Sequence, residues 1–316
     1  MNQPVGVIPS VILPSNYASE HVRVEYQENR KTIILTLCPK PRPCVTRAVL
    51  DGLQTASQWI RDINAKTPDA IRHMILASDW DGVFSLGGDL DLFVSCIING
   101  DREQLLTYAL DCVRVGHVFH TGFEGTLSTT SVIAGQALGG GLEGAACCQT
   151  IIAEKGSVLQ LPEIKFGMFP GMGAISYLSR RSPGPHVRRM VETGAPLDID
   201  EAYAIRMVDE LTPKGHGLLT AHKVNEGLSQ AFHGRMATRY ALALAQGPSL
   251  QELESIARSW VDVAFKIDLR DMRLMSRLAN HQLRLGSVRN VVDSKPQGIP
   301  HGDVRVDGLM AFAVAS

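Results

Sequence analysis

Apolar positions along this chain follow two periods, and the change between them marks out the elements. In VRVEYQ (22–27) they alternate, and KTIILTLC (31–38) is a nearly continuous apolar run, so the two predict strands joined by a tight ENR turn. PKPRP (39–43) stops the chain from extending further. From about Thr46 the period lengthens. Val49, Leu50, Leu53, Ala56, Trp59, Ile60 and Ile63 recur at three- and four-residue spacings, the mark of a helix with one apolar face. HMILAS (73–78) is a short buried strand. Two helical patterns come next, Asp89–Ile98 and Asp101–His120, with Asp101 placed to cap the second by accepting from its first free N–H groups. TLSTTSVIA (126–134) is the next strand, and QTIIAEKGSVLQLPE (149–163) reads as two strands with a turn at Lys155-Gly156. Helix followed by short apolar strand, repeated, predicts an α/β fold with crossover connections. The pattern repeats in form, without an internal sequence repeat.

After Gly173 the character changes. Most of 174–285 reads as helix, broken at SPGP (182–185), TGAPLD (193–198), TPKGHG (212–217) and GPS (247–249). Such helices can cover an α/β core, extend a site or form a subunit interface. The expected division is an N-terminal arm over 1–20, an α/β core over 21–195, a helical region over 196–285 and a tail over 286–316. GLMAFAVA near the C-terminus is too apolar for that tail to be a flexible linker.

Composition narrows the function. Lys and Arg (31) nearly balance Asp and Glu (32), for a net charge of −1, so no global field recruits nucleic acid or an anionic membrane. No apolar run approaches the roughly 18–20 residues that span a bilayer. The first residues lack the basic segment and long apolar core of a signal peptide, which predicts a cytoplasmic protein. The six cysteines form no CxxC pair, so they read as buried thiols rather than as zinc ligands or a redox pair.

The chemistry gathers in FSLGGDLDLF (84–93), QALGGGLEGA (136–145) and LPEIKFGMFPGMGA (161–174). Gly87-Gly88 and Gly139-Gly140-Gly141 each follow a predicted strand and precede a predicted helix. They serve either as turns that need glycine's backbone freedom or as sources of free N–H groups for a developing oxyanion. Glu143 lies among GGGL and GAACC, and Glu163 between Leu161-Pro162 and Ile164. A charge in such company needs a partner or a task, and desolvation raises a carboxyl pKa toward the range of a general acid. Elsewhere, His117 and His120 share a helix face without an evident third metal ligand. Arg180-Arg181 and Arg188-Arg189 read as a solvated face, or as a contact for an acidic carrier protein or a nucleotide phosphate. GMGAIS (171–176) lacks the third glycine of a dinucleotide fingerprint, and no P-loop or GxSxG elbow is present.

FSLGGDL with ALGGGLE, followed by LPEIKFGMFPGMGA, resembles the crotonase (enoyl-CoA hydratase/isomerase) superfamily over roughly residues 20–285. The resemblance implies a ββα superhelix core followed by a C-terminal helical region, and assembly as a homotrimer or a dimer of trimers. It also implies a thioester oxygen held by the backbone N–H groups of Gly88 and Gly140, with Glu143 and Glu163 as the catalytic acids. No metal or other cofactor is implied, the acyl-CoA or acyl carrier protein thioester being the substrate. GGDLDLFVSCIINGDREQLLTYALDCVRVGHVFH, LEGAACCQTIIAEKG and SWVDVAF (259–265) are similar, more narrowly, to the diffusible signal factor synthases. Those enzymes dehydrate a 3-hydroxyacyl thioester on acyl carrier protein to the cis-2-enoyl form, then hydrolyse it to a free fatty acid signal. By position in that resemblance Met172, Trp260 and Leu278 line the acyl pocket. Trp260 and Leu278, about five helical turns apart, would share a face of one unbroken helix. Other outcomes of the same resemblance are an enoyl-CoA hydratase of fatty-acid metabolism and a tailoring crotonase acting on a carrier-bound polyketide.

Overall fold

The computed structural model describes residues 19–293, with side chains described through residue 284. The expected arm lies outside the described residues up to residue 18, and so does the expected tail from residue 294 onward. β1 (Val22–Gln27) and β2 (Thr32–Leu37) pair antiparallel with Val22 opposite Leu37. α1 (Arg47–Lys66) starts at Thr46, whose side chain accepts from the Val49 N–H. β3 (His73–Ser78) lies parallel to β2 and is followed by β4 (Val83–Ser85). Then come α2 (Leu90–Asn99), α3 (Arg102–His120), capped by Asp101 as expected, and a short turn α4 (Gly122–Gly125). β5 (Ser128–Ile133), β6 (Gln136–Leu138) and α5 (Gly140–Ala146) precede β7 (Thr150–Glu154) and β8 (Val158–Gln160). The chain continues through α6 (Ala174–Arg181), α7 (Gly184–Thr193), β9 (Pro196–Leu197), α8 (Ile199–Ala204) and β10 (Glu210–Thr212). It closes with α9 (Gly217–Ser229), α10 (Phe232–Gln246), α11 (Leu250–Ala264) and α12 (Leu269–Asp293).

Two sheets result, one ordered β1-β2-β3-β5-β7-β10 and one ordered β4-β6-β8-β9. The central strands of the first are buried on both faces because both are covered. Leu35, Met74, Leu76 and Ile133 join the main core with α1 and α3, while Ile34, Ile75, Ala77, Val132 and Ile152 pack with Ala221 of α9. The period-two alternation thus assigns each side chain to one layer. The repeating unit is a strand in the first sheet, a strand in the second and then a helix or tight turn: β3-β4-α2, β5-β6-α5, and β7-β8 with the 3-10 turn Glu163–Phe166.

Several expectations change here. β4 and β6 intervene between the expected strands and the glycine stretches; three residues are too few to show a period. The two strands flanking Lys155-Gly156 fall in different sheets, β7 beside β5 and β8 beside β6. The region expected to be helical returns two strands, β9 pairing with β8 and β10 with β7. The helix expected to carry both Trp260 and Leu278 is broken. α11 ends at Ala264, and Asp268 accepts from the Asp271 N–H to start α12. α12 runs on to Asp293, so the tail does not begin at 286; the lone Gly286 weakens a helix by about 1 kcal/mol without ending it.

Candidate active site

β4, β6 and β8 lie side by side and parallel, so the segments leaving them emerge along one edge. Gly87 and Gly88 follow β4, Gly139 and Gly140 follow β6, and Glu163 follows β8. This arrangement gathers residues that are some 75 positions apart in the chain.

The glycines are both turns and donors. Gly87 (φ 101°) and Gly139 (φ 50°) occupy backbone conformations that a side chain disfavours. A Cβ on Gly87 would lie 3.1 Å from the Gly140 nitrogen, and one on Gly140 would lie 3.1 Å from the Gly88 nitrogen. The two nitrogens are therefore close neighbours. Among the described residues neither N–H is donated to a protein acceptor. Gly140 is the first residue of α5, whose first N–H groups have no intrahelical partner. Ser85 Oγ accepts from the Gly87 N–H at 3.2 Å and Gly87 C=O from the Val45 N–H at 2.8 Å, which hold the turn.

Both carboxyls are buried, Glu143 at 3% and Glu163 at 8% exposure. Glu143 Oε1 accepts from the Met172 N–H at 2.8 Å and the Ala174 N–H at 3.1 Å. Burial pushes the Glu143 carboxyl up to about 7, in spite of those two bonds, which favour its ionised form. Glu163 sits against the Gly139 backbone, where a Cβ would lie 2.5 Å from its Oε1. Its Oε2 is buried without a hydrogen-bond partner. Burial first, and the neighbouring Glu143 charge second, raise Glu163 well above the usual carboxylate range. Two carboxyls that feel each other in this way titrate as a pair.

One apolar cavity is lined by Gly88, Gly140, Glu143, Glu163, Met172, Trp260 and Leu278 together. Trp260 and Leu278 reach it from separate helices, not from one face. Trp260 lies against the Gly171 backbone and edge-on to Phe93, with ring centroids 5.0 Å apart. Besides lining the cavity, it braces the loop that holds Glu143.

The braces of the first glycine turn were not anticipated. Arg42, in the PKPRP segment, ion-pairs with Asp89 and Asp91. Asp89 follows Gly88 and caps α2 by accepting from the Leu92 N–H at 3.2 Å. Tyr108 donates to Val45 C=O at 2.6 Å, and Gln282 Nε2 to Leu86 C=O at 3.3 Å. An Arg among prolines, with two Asp two positions apart downstream, was the available signal. Other candidates turn out to be structural. Arg180, an exposed residue, pairs with Glu252 at 2.7 Å, and the less exposed Arg181 pairs with Asp209 at 2.9 Å and donates to the Cys148 carbonyl at 2.6 Å, so both are engaged within the chain. His120 packs on Tyr177, and burial takes its pKa down to about 4. Among the described residues no three His, Cys, Asp or Glu side chains gather as a metal site would require.

A family model described as enoyl-CoA hydratase/isomerase matches residues 59–239. The chain is similar to the fatty acid oxidation complex subunit alpha of Shewanella baltica, with 30% identity over 168 residues, 52% of this chain and 22% of that protein. It thus spans roughly a quarter of the length of this and similar long curated relatives. An enoyl-CoA hydratase from Mycobacterium avium subsp. paratuberculosis superposes with a TM-score of 0.63 at 19% identity, covering 81% of this chain and 93% of that one. DspI of Pseudomonas aeruginosa does so with a TM-score of 0.56 at 21% identity, covering 88% and 97%. At such identities the structural likeness shows the fold alone.

Proposed function

This chain belongs to the enoyl-CoA hydratase/isomerase family, and from that premise we propose that it moves water on and off a 3-hydroxyacyl or 2-enoyl thioester. In full, the reaction is that of the diffusible signal factor synthases: dehydration of a 3-hydroxyacyl carrier thioester to the cis-2-enoyl form, then hydrolysis to the free acid. The observation that supports it most is the single cavity holding two free backbone N–H groups and two buried carboxyls.

The thioester oxygen sits between the Gly88 and Gly140 amides, which stabilise the enolate; losing one such donor costs on the order of 3 kcal/mol of transition-state binding. Burial raises both carboxyls, Glu143 to about 7 and Glu163 well above the usual carboxylate range, so each is suited to exchange a proton with the substrate. In the hydration direction Glu143 takes a proton from the water that bonds to Cβ, and Glu163 delivers its proton to Cα. Dehydration runs the same two transfers backward, Glu163 accepting from Cα and Glu143 protonating the departing hydroxyl. For hydrolysis, water activated by Glu143 attacks the carbonyl carbon, the tetrahedral oxyanion occupies the same two N–H groups, and the leaving thiolate takes the proton of Glu163.

The test is mass spectrometry of the acids released from 3-hydroxydecanoyl thioesters of acyl carrier protein and of CoA. Free unsaturated acid is expected, and Glu143→Ala and Glu163→Ala should each abolish it. Reversible hydration of enoyl-CoA without free acid would favour an enoyl-CoA hydratase, the activity in the name of the Mycobacterium neighbour.

A further inference from the structure

Arginine recurs along α12 at positions 270, 273, 277 and 284, and all four side chains are exposed. At 3.6 residues per turn they fall within about 60° of arc, and at 1.5 Å per residue they span about 21 Å of helix. They form a ladder on one face. Among the described residues none of the four has a carboxylate partner. Exposed arginines elsewhere do have one: Arg102 pairs with Asp262, Arg114 with Glu254 and Arg180 with Glu252. Arg270, Arg273 and Arg277 are also helical neighbours at three- and four-residue spacing, so their like charges weaken the helix that carries them. An acidic surface laid on the ladder reverses that sign.

This chain holds little that could answer it. Asp271, the one acid between Leu269 and Arg284, sits against the Gly167 backbone. Segments 1–18 and 294–316 together carry two acids, Asp303 and Asp307, against Lys295 and Arg305. The other side of α12 belongs to the cavity. Leu278, His281 and Gln282 line it, and Gln282 donates to Leu86 C=O, two residues before Gly88. His281 lies next to the arginine arc around the helix, so the ladder borders the cavity wall. Length selects the occupant. The phosphates of a CoA nucleotide sit close together and would meet one or two of the four arginines, whereas carboxylates repeated along a protein helix would meet them all. We propose that Arg270, Arg273, Arg277 and Arg284 dock an acidic helix of an acyl carrier protein, whose pantetheine arm then enters the cavity beside α12. The inference rests on the thioester reading above and names the partner that presents the substrate.

The test measures binding, so it does not depend on turnover. Acyl carrier protein of fatty-acid synthesis, its phosphopantetheine thiol alkylated with a decyl group, and S-decyl CoA are titrated calorimetrically into three proteins. These are the wild type, Arg273→Glu combined with Arg277→Glu, and Arg273→Ala combined with Arg277→Ala. The wild type should bind the decyl carrier, more weakly as salt rises from about 0.05 to about 0.3 M. The glutamate pair should lose on the order of 10-fold or more in affinity and the alanine pair less, chiefly through slower association. Both variants should bind S-decyl CoA as the wild type does, and keep its melting temperature and its mass by light scattering. Equal carrier binding by all three proteins would overturn the inference, as would a wild type that does not bind the carrier. Parallel loss of S-decyl CoA would hand the arginines to the nucleotide, and a changed mass would hand them to a second copy of this chain; either overturns it. Ladder-dependent binding of the carrier without turnover of any thioester would instead sink the proposed activity and leave the docking surface standing.

Discussion

Glu143 and Glu163 are two carboxyls in apolar surroundings, and the fold separates them by what each can hydrogen-bond. Glu143 accepts two backbone N–H groups, which favour its charge, while Glu163 Oε2 accepts none. The result is one carboxyl pushed up to about 7 and a second, beside it, raised well above the usual carboxylate range. The activity should therefore rise with pH through about 7 as Glu143 ionises and fall again at higher pH as Glu163 loses its proton. Glu143→Gln should remove the rising limb and lower kcat/KM by about 10²–10⁴-fold. Its effect on stability has the opposite sign. With a folded pKa near 7 against an ordinary 4.5, the native state binds more protons between those values. The protonated carboxyl's share of stability is thus fully present below 4.5 and lost as pH rises through 7. Glu143→Gln should match the wild type in acid and exceed it by roughly 2–3 kcal/mol above neutral pH, read from denaturant melts across pH. Gly139→Ala should do harm of another kind. Its φ of 50° is strained for a side chain, and its Cβ would press on Glu163. Loss of about 2 kcal/mol of stability and a large fall in kcat are expected from melting and steady-state assays.

At the scale of elements, the site is an edge made by three three-residue strands, β4, β6 and β8. Each is too short to be stable alone, and they depend on neighbours for position. The first turn is held from outside by the 39–46 segment, through the Arg42 pair with Asp89 and Asp91 and through the Val45 N–H to Gly87 C=O. Arg42 is buried, as is Asp89. Removing one partner of such a pair leaves an uncompensated charge, so Arg42→Met should destabilise by roughly 3 kcal/mol or more. The Gly88 donor should be displaced with it. Adding Asp89→Asn to Arg42→Met should restore much of the stability but not the loop position, and a double-mutant cycle on melting and kcat/KM separates the two effects.

For the whole molecule, the architecture is the crotonase fold: two mixed sheets wound by strand-strand-helix units, then helices. Helices α9 to α12 close the far face of the first sheet and one wall of the cavity. α10 leaves Leu242 and Leu244 exposed, the latter at 66%. Large apolar side chains open to water suit an interface between copies, which is the trimer the family resemblance implies as an expectation. Light scattering should give a trimer or a multiple of it, and Leu244→Glu should shift it toward smaller species.

The outer strands, the long helices and their caps could be read from one dimension because their signals are local. Periods of two and of three to four residues, and a side chain such as Asp101 at a helix start, act over a single turn. Glu143, Glu163, Gly88 and Gly140 stood out for a local reason as well, acids and glycines in apolar company. β4, β6, the return of β9 and β10 to the sheets, and the break between α11 and α12 had no such signal, since short pairings draw their stability from partners distant in the chain. Burial raised the two carboxyls, and three neighbouring strand ends put them beside two idle amides. Desolvation and proximity depend on how far apart atoms are in space, and only the folded chain sets those distances.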